Sequence, residues 1–397
     1  MEWLKDIKEE VANLKEELIG LRRDFHRHPE LGFEEHRTAQ IVEEYLTNCG
    51  IKVSRVAETG VVGLLEGTQP KPVLMLRADL DALPVHEETD VPFRSELDGK
   101  MHACGHDGHT AMLMVAAKIL ARHKDELAGT IKFVFQPNEE DAGADIIIEQ
   151  GVMENPQVDA AVGAHLWSPF PSGTIGIAPG PLMASSYYFW LDIRGRGGHG
   201  GAPHLAKDPI YCANQIMNAV QSIQTREHTV LEPTLITFCQ VKAGSSPIIV
   251  PEKIELAGSI RCLHQGDKQV RERFEAIAAQ LCELHGTTYE LTFKCGNELL
   301  DNDAAVTKVV RKAAAEAVGE DKLIENNLQV MLGEDFASFA KLVPSAFYFI
   351  GIADEAKKTD LPHHHPQFKL DEDVLPLGVE MHVRSAFAYL NEQAAAK

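Results

Sequence analysis

The chain has 397 residues, of which 44% are hydrophobic and 24% charged, which is typical of a globular protein long enough for two domains. Its formal net charge of −21 argues against nucleic acid or an anionic membrane as a partner, because both attract a basic surface. No apolar run is long enough to span a membrane, residues 1–10 are too charged for a signal peptide, and seven scattered cysteines do not suggest a disulfide framework, so we expect a cytoplasmic protein.

The first half of the chain alternates between predicted helices and strands. Apolar residues recur every three or four positions from Trp3 to Leu21 and predict an amphipathic helix that ends near the turn at residues 28–32. A second helix over residues 38–49 is closed by Gly50. Strands are predicted over residues 72–76, 130–135 and 160–164, and helices over residues 110–123 and 144–150. This alternation predicts an α/β domain with a mostly parallel sheet.

From about Ser185 the order of the elements changes. Strands are predicted over residues 187–194, 234–241, 253–263 and 288–294, with helices over residues 209–224 and 268–285. After Asn297 a helix over residues 303–318 and a strand over residues 346–351 resume the first pattern. We therefore predict two domains, a discontinuous one of residues 1–184 and 297–397 and an inserted α+β domain of residues 185–296.

Candidate metal ligands repeatedly follow the predicted strands. The segment MHACGHDGHT (residues 101–110) contains Cys104 and His106, and its glycines allow the backbone to bring both side chains to one point. Further candidates come after later strands and near the C-terminus: Glu139, Glu140, His165 and the histidine run at residues 363–365. Ligands of open α/β sheets bind at the carboxyl ends of the strands, so these segments are expected to converge. Thiolate, imidazole and carboxylate suit a borderline transition metal, and the pattern predicts a metal-dependent enzyme.

The paired carboxylates Glu139 and Glu140 favour catalysis. One can bind metal while the other acts as general base on a water whose pKa the metal lowers. A structural metal site needs no spare base, which argues against a metal-binding protein without catalysis. Nearby, His109 and Asp107 either orient the ligands or cap a helix.

A nucleotide-dependent oxidoreductase is the rival from another class. Residues 195–200, GRGGHG, match the glycine spacing of a dinucleotide-binding loop and follow a predicted strand. The next helix begins near Pro209, however, so no helix N-terminus would hold a pyrophosphate. No acidic residue ends a strand about twenty residues further on, and the context therefore does not favour this class.

Taken together, the motifs resemble the amidohydrolase branch of the M20 metallopeptidase family, which includes N-acyl-amino-acid, hippurate and auxin-conjugate hydrolases. The resemblance runs nearly end to end. It rests on HRHPEL (26–31), RADLDALP (77–84), MHACGHDGH (101–109), FQPNEE (135–140), GGH (197–199), GEDF (333–336) and HHP (364–366).

This resemblance implies a zinc-peptidase-like catalytic domain with two divalent metal ions and a lid that often dimerises. The implied ions are zinc or manganese, with cobalt and nickel as alternatives. The positions that match metal ligands are Cys104, His106, Glu140, His165 and His364, with Cys104 bridging the ions. Glu139 matches the general base, His199 a lid histidine that stabilises the oxyanion, often in the partner's site, and Arg261 a lid arginine that receives the substrate carboxylate.

Three positions depart from the family pattern. Other M20 branches carry a histidine where this chain, like the amidohydrolase branch, has Arg77, so Asp79, the aspartate usually given an orienting role, has a different neighbour here. Ile248 stands where the lid usually has asparagine, and Asn138 where alanine is common. Losing an amide donor favours a more apolar substrate group. The predicted reaction is hydrolysis of N-acyl amino acids to a carboxylic acid and an amino acid, and the alternative is a dipeptidase or carboxypeptidase with the same site.

Overall fold

The computed structural model describes residues 3–395, which form two compact units. The first unit runs through Gly180 and includes Asp301–Leu328 and the chain from Asp335 onwards. The second unit comprises Pro181–Leu300 and Gln329–Glu334. Residues 329–334, which the sequence did not assign to the insert, therefore belong with it.

Helices within residues 3–395 are, in chain order, α1 Ile7–Asn13, α2 Lys15–Arg27, α3 His36–Asn48, α4 His106–Arg122, α5 Ala144–Glu149, α6 Pro209–Ser222, α7 Asp267–His285, α8 Ala304–Val318, α9 Phe336–Ala340 and α10 Leu375–Ala395. The strands are β1 Lys52–Val56, β2 Gly60–Glu66, β3 Val73–Asp79, β4 Thr130–Gln136, β5 Ala160–Pro171, β6 Ile175–Gly176, β7 Gly180–Met183, β8 Ser185–Arg194, β9 Gly198–His199, β10 Thr234–Ala243, β11 Ile249–Val250, β12 Lys253–Cys262, β13 Thr288–Cys295, β14 Leu300–Asn302, β15 Leu323–Ile324 and β16 Ser345–Ala353.

The first unit is built on an eight-stranded sheet of order β1-β2-β4-β3-β5-β16-β6-β15. Its central strands β4, β3, β5 and β16 are parallel, so their carboxyl ends meet at one edge. Every residue of β3 and β4 is buried, as expected for parallel strands covered on both faces. Helices α4 and α10 pack on this sheet and on each other. The prediction of an α/β fold with a mostly parallel sheet is confirmed.

The second unit has an antiparallel sheet of order β10-β12-β8-β13. Helices α6 and α7 cover this sheet, and its core contains Phe189, Leu191, Ile260 and Phe274. Asp208 caps α6 by accepting hydrogen bonds from two backbone N–H groups, and Pro209 occupies the first helical position. No helix within residues 3–395 is long and apolar enough to cross a membrane.

Several element boundaries differ from the sequence predictions for local reasons. The predicted first helix breaks at Leu14, whose backbone is non-helical, into α1 and α2. Helix α4 begins at His106 rather than at Thr110, and β5 continues to Pro171, so His165 lies inside a strand rather than after one. The sequence did not predict β1, β2 or α10.

Gly163 in β5 allows α9 to approach the sheet closely. A Cβ at this position would lie 2.8 Å from the Phe347 ring and 2.9 Å from the Phe336 ring. We expect Gly163→Ala to lower the free energy of unfolding by ~1–3 kcal/mol through overpacking. Gly20→Ala is the control, because Gly20 is exposed in α2 and a Cβ there would meet no atom within 4 Å outside the neighbouring helix backbone, so the variant should gain ~0.5–1 kcal/mol. Urea denaturation of both variants would test this, and equal effects would contradict it.

Candidate metal centre and catalytic residues

The five predicted metal ligands lie together in the first unit. Sγ of Cys104 is 3.5 Å from Nε2 of His165, and Nε2 of His364 is 3.3 Å from Oε1 of Glu140. Nε2 of His106 lies 4.0 Å from both Oε2 of Glu139 and Oε1 of Glu140. The loops after β3 and β4, the start of α4 and the histidine loop therefore converge at one place, as the strand-end argument predicted.

Cys104 belongs to two overlapping groups of possible ligands. Its sulfur lies within 4.8 Å of ligand atoms of His106 and His165, and within the same distance of ligand atoms of Glu140 and His364. Cys104 is thus the residue that these two candidate groups share, and its bridging role stays a prediction. The backbone supports this placement, since Gly105 has a left-handed φ of 92° and His364 N–H donates to Ala103 O at 2.9 Å.

At two of the three candidate ligand histidines, His106 and His165, Nδ1 is hydrogen-bonded to the protein, so that Nε2 faces the other candidate ligands. Nδ1 of His165 donates to Leu166 O at 2.7 Å. Nδ1 of His106 lies 3.0 Å from Asp81 O and 3.2 Å from its Oδ1. Within residues 3–395, Nε2 of His106 is buried without a hydrogen-bond partner, which is unfavourable unless another group binds it. The soft and borderline donors around it fit a divalent transition metal.

The protonation of the metal-free site follows from burial and charge. Burial, reinforced by Glu140 and Glu139, raises the pKa of the Cys104 thiol well above its usual range. Burial alone would lower the pKa of His106, but Asp79, Asp81 and Glu140 outweigh it and raise this pKa to about 10. Burial holds the pKa of His165 well below its usual range, so His165 is neutral. Metal ligation therefore displaces protons from Cys104 and His106.

Sequence reasoning missed Asp81, which is hydrogen-bonded to two of the candidate ligands. Its Oδ1 accepts from His106 Nδ1, and its Oδ2 accepts from the backbone N–H of Glu140 at 3.1 Å. Asp79, predicted for the orienting role, lies 3.8 Å from His106 Nδ1 and instead accepts from His109 Nδ1 at 2.7 Å. The sequence signal that could have identified Asp81 is the second aspartate of the RADLDALP segment.

We expect Asp81→Asn to weaken metal binding by roughly 10- to 100-fold, because an outer carboxylate fixes ligand orientation. Chelator competition would measure the affinity. Asp98→Asn is the matched control, since Asp98 also faces a histidine, His86 at 2.6 Å, but is 88% exposed. Equal affinities for the two variants would contradict an orienting role for Asp81.

One carboxylate oxygen of Glu139 faces the ligand cluster, which is the group of five predicted metal ligands. Its Oε2 faces His106, while its Oε1 accepts from the backbone N–H of Asp335 at 3.4 Å. The loop that carries it is strained, because Asn138 and Ala142 have left-handed φ angles of 55° and 59°. Glu139 thus lies beside the candidate ligands, and its role as general base stays a prediction.

Asn138 is hydrogen-bonded to neighbouring residues of the first unit. Its side-chain amide donates to Asp141 O at 3.2 Å, and its backbone N–H donates to Glu35 at 2.9 Å. A Cβ on Gly32 would lie 1.8 Å from Asn138 Oδ1, so the HRHPELG turn packs tightly against it. A substrate-binding role for Asn138 stays a prediction.

The motif residue His26 supports the start of α4 rather than joining the ligand cluster. Its Nδ1 lies 2.7 Å from Asp107 Oδ2, and its Nε2 lies 3.2 Å from Glu87. Burial and Arg22 lower the pKa of His26, but the two carboxylates outweigh them and raise it. Of the histidine run, His364 joins the ligands, while His363 packs against Trp167 and accepts from Ser168 N–H.

The predicted lid residues lie in the second unit. His199 in β9 pairs with Ile249 in β11, next to Ile248, which is 63% exposed. Nδ1 of His199 accepts from Gly201 N–H at 2.9 Å, so in the neutral ring Nε2 carries the proton and can donate it. Arg261 in β12 is half-buried and donates to Met331 O at 3.0 Å.

Known proteins similar to this chain cover nearly all of it. The profile of peptidase family M20/M25/M40 matches residues 75–388. An N-acyl-L-amino acid amidohydrolase of Geobacillus stearothermophilus is 41% identical over 296 residues, which cover 74% of this chain and 80% of that protein. Thermostable carboxypeptidase 1 of Saccharolobus solfataricus is 36% identical over 399 residues, which cover 99% of this chain and 100% of that protein.

Among solved structures, the YxeP protein of Bacillus subtilis, described as a dinuclear metal-binding peptidase of the M20 family, is similar in fold and sequence. The TM-score is 0.84 at 33% identity, with 96% of this chain and 99% of that chain covered. In this chain, two groups of possible metal ligands overlap at Cys104.

Proposed function

The chain belongs to peptidase family M20/M25/M40 and is a metal-dependent amide hydrolase, and we propose that it cleaves N-acyl amino acids to a carboxylic acid and a free amino acid. The observation that carries the proposal is the position of Glu139 beside the Cys104 ligand groups, with one oxygen anchored and the other facing them. The amidohydrolase relative supports the substrate class. The carboxypeptidase relative keeps a peptidase as the second candidate.

In the proposed mechanism, two divalent ions would be held by Cys104, His106, Glu140, His165 and His364. Once bound, they would supply Lewis acidity and lower the pKa of water at the site. Glu139 accepts a proton from the attacking water through Oε2 and later returns it to the leaving amine. His199 donates its Nε2 proton toward the developing oxyanion, and Arg261 pairs with the substrate carboxylate.

The metal and the substrate side chain are further proposals. Imidazole, thiolate and carboxylate ligands favour zinc or manganese, with cobalt and nickel as alternatives. The exposed apolar side chain of Ile248 favours a more apolar acyl or side-chain group than an asparagine there would. Seven free thiols suit the reducing cytoplasm, and we propose that the protein acts there. We also propose that it assembles as a homodimer or larger homo-oligomer through the lid.

A substrate panel tests the proposed reaction. N-acetyl, N-benzoyl and long-chain N-acyl amino acids would be compared with free dipeptides after chelation and readdition of each metal. We expect N-acyl amino acids to be hydrolysed best, with the ranking shifted toward less apolar substrates in Ile248→Asn. Faster cleavage of free dipeptides would favour the dipeptidase alternative. Unchanged ranking in Ile248→Asn would remove Ile248 from the specificity argument.

Pairing two inactive variants tests whether His199 acts across a dimer. We expect His199→Ala to lower kcat by roughly 100- to 1,000-fold, as loss of an oxyanion donor does. Glu139→Ala and His199→Ala subunits would be co-expressed with different tags and the mixed dimer purified. If His199 serves the partner's site, one site of the mixed dimer has both residues and activity returns to about half of the wild-type value. No recovery would show that His199 acts within its own subunit.

A further inference from the structure

Arg77 is a fully buried arginine near the carboxyl end of β3, and its guanidinium donates hydrogen bonds to three side chains near the catalytic loop. Its Nη1 donates to Asp79 Oδ2 at 2.6 Å, its Nη2 to Asp335 Oδ1 at 2.8 Å, and its Nε to Gln136 Oε1 at 2.8 Å. The guanidinium stays charged at any ordinary pH, and its fork geometry suits two carboxylates at once. A lysine ammonium could not reproduce these three directions.

Asp335 accepts hydrogen bonds at both ends of the 137–143 loop, which carries Glu139 and Glu140. Its Oδ2 accepts from Gln136 Nε2 at 2.7 Å, at the end of β4, and from Ala144 N–H at 2.9 Å, at the start of α5. Its own backbone N–H donates to Glu139 Oε1 at 3.4 Å. One buried aspartate, 1% exposed, thus fixes residues 137–143 at both ends and contacts the base directly.

On its other side, Arg77 is connected through Asp79 and His109 to β5, the strand that carries His165. Burial alone would raise the pKa of Asp79, but His106, His109 and Arg77 hold it well below its usual range. Its Oδ1 accepts from His109 Nδ1 at 2.7 Å, and His109 Nε2 accepts from Leu166 N–H at 2.9 Å. The guanidinium therefore joins the strand of His165 to the loop of Glu139.

The 137–143 loop has a strained backbone, which this hydrogen-bond network stabilises. Asn138 and Ala142 both have left-handed backbone angles, which non-glycine residues adopt only when their surroundings hold them there. Asn138 N–H is fixed by Glu35, and Gly143 N–H by Asn138 O at 2.7 Å. The Asp335 contacts add an anchor at each end of the loop, beside the one from Asp81 to Glu140 N–H.

We propose that Arg77 and Asp335 are a pair of positioning residues that hold Glu139 in its productive orientation. The proposal rests on the proposed function, in which Glu139 is the base. Neither residue touches the substrate or the water in this scheme, and both act through the 137–143 loop. Their loss misplaces the base without removing a metal ligand.

Double mutants separate this role from a purely structural one. In the holoenzyme, we expect Arg77→Lys and Asp335→Asn each to lower kcat by roughly 10- to 100-fold, with KM changed less than about 3-fold. In a Glu139→Gln background, either change should lower the residual rate by less than about 3-fold, because the group they position is already gone. Both variants should still bind two ions per chain. Arg384→Lys is the control, since this arginine is also largely buried against a carboxylate, Glu380 at 2.7 Å.

Hydrogen exchange supplies a readout independent of activity. The amides of residues 138–144 should exchange faster in both variants than in the wild-type holoenzyme, whereas Arg384→Lys leaves them unchanged. Equal losses of rate in both backgrounds, fewer than two bound ions, or unchanged exchange of these amides would overturn the proposal. If Arg77→Lys does not fold, Asp335→Asn decides alone. Full activity of Glu139→Gln would instead refute the base assignment, so the two failures are distinguishable.

Discussion

Replacing Glu139 with glutamine is expected to lower kcat by roughly 100- to 10,000-fold while the protein still folds and binds two metal ions. The amide has nearly the shape of the carboxylate and can keep an oxygen in place to accept from Asp335 N–H. It cannot accept a proton from water at neutral pH, nor return one to the leaving amine. The loss should therefore appear in kcat, with KM for an N-acyl amino acid little changed.

Three measurements make this expectation specific to the base. Metal analysis of Glu139→Gln should give the wild-type content, because Glu140 and not Glu139 is the proposed ligand. Glu34→Gln, at an exposed glutamate paired with Lys100, should have wild-type activity. Glu140→Gln should lose metal as well as activity. If Glu139→Gln also lost metal, Glu139 would be a ligand and another group would have to move the proton.

The fold was predictable wherever one pattern dominated. Strands β3, β4 and β5 are buried over most of their length, and their continuous apolar runs are visible in the sequence. Helix α10 was missed because it has no clean polar face, with Glu380, His382 and Ser385 buried beside Leu375 and Leu390.

The ligand cluster was predictable for a different reason. Residues that follow parallel strands meet at one edge of a sheet, so separation along the chain did not hide Cys104, Glu140 or His364. The supporting network was not predictable in this way. Arg77 and Asp335 are 258 positions apart, and only the folded chain shows that they meet. Asp81 and Asp79 are two residues apart in one motif, and the backbone after β3 decides which of them faces His106.

These differences share a physical cause. A periodic pattern or a ligand type is a property of a residue and its neighbours, whereas an orienting contact depends on which side chain a loop turns inward. The proposed roles of His199 and Arg261 likewise depend on how the folded chain orients their side chains. They rest on single contacts within the second unit and on the family resemblance.

The second large effect concerns the metal ions and pH. Removing the ions by chelation should lower activity at least about 1,000-fold, since they supply the Lewis acidity of the site, and readdition should restore it. In the metal-free protein the pKa of the Cys104 thiol lies well above its usual range and that of His106 is about 10, so both groups carry a proton at neutral pH. Loading must displace both protons, because a thiolate and a neutral imidazole are the ligand forms.

Metal affinity should consequently rise with pH, by up to roughly 100-fold per unit below the pKa of His106, and fall as the solution is acidified. Calorimetric titration in buffers of different ionisation enthalpy should give about two protons released on loading at pH 7. Cys104→Ser is the informative variant, because it lacks the thiol proton and should release about one proton while binding metal more weakly. His285→Ala, at the half-buried last residue of α7 in the second unit, should match the wild-type protein. Proton release near zero would mean that Cys104 and His106 are already deprotonated and would contradict the charge balance derived from the buried carboxylates.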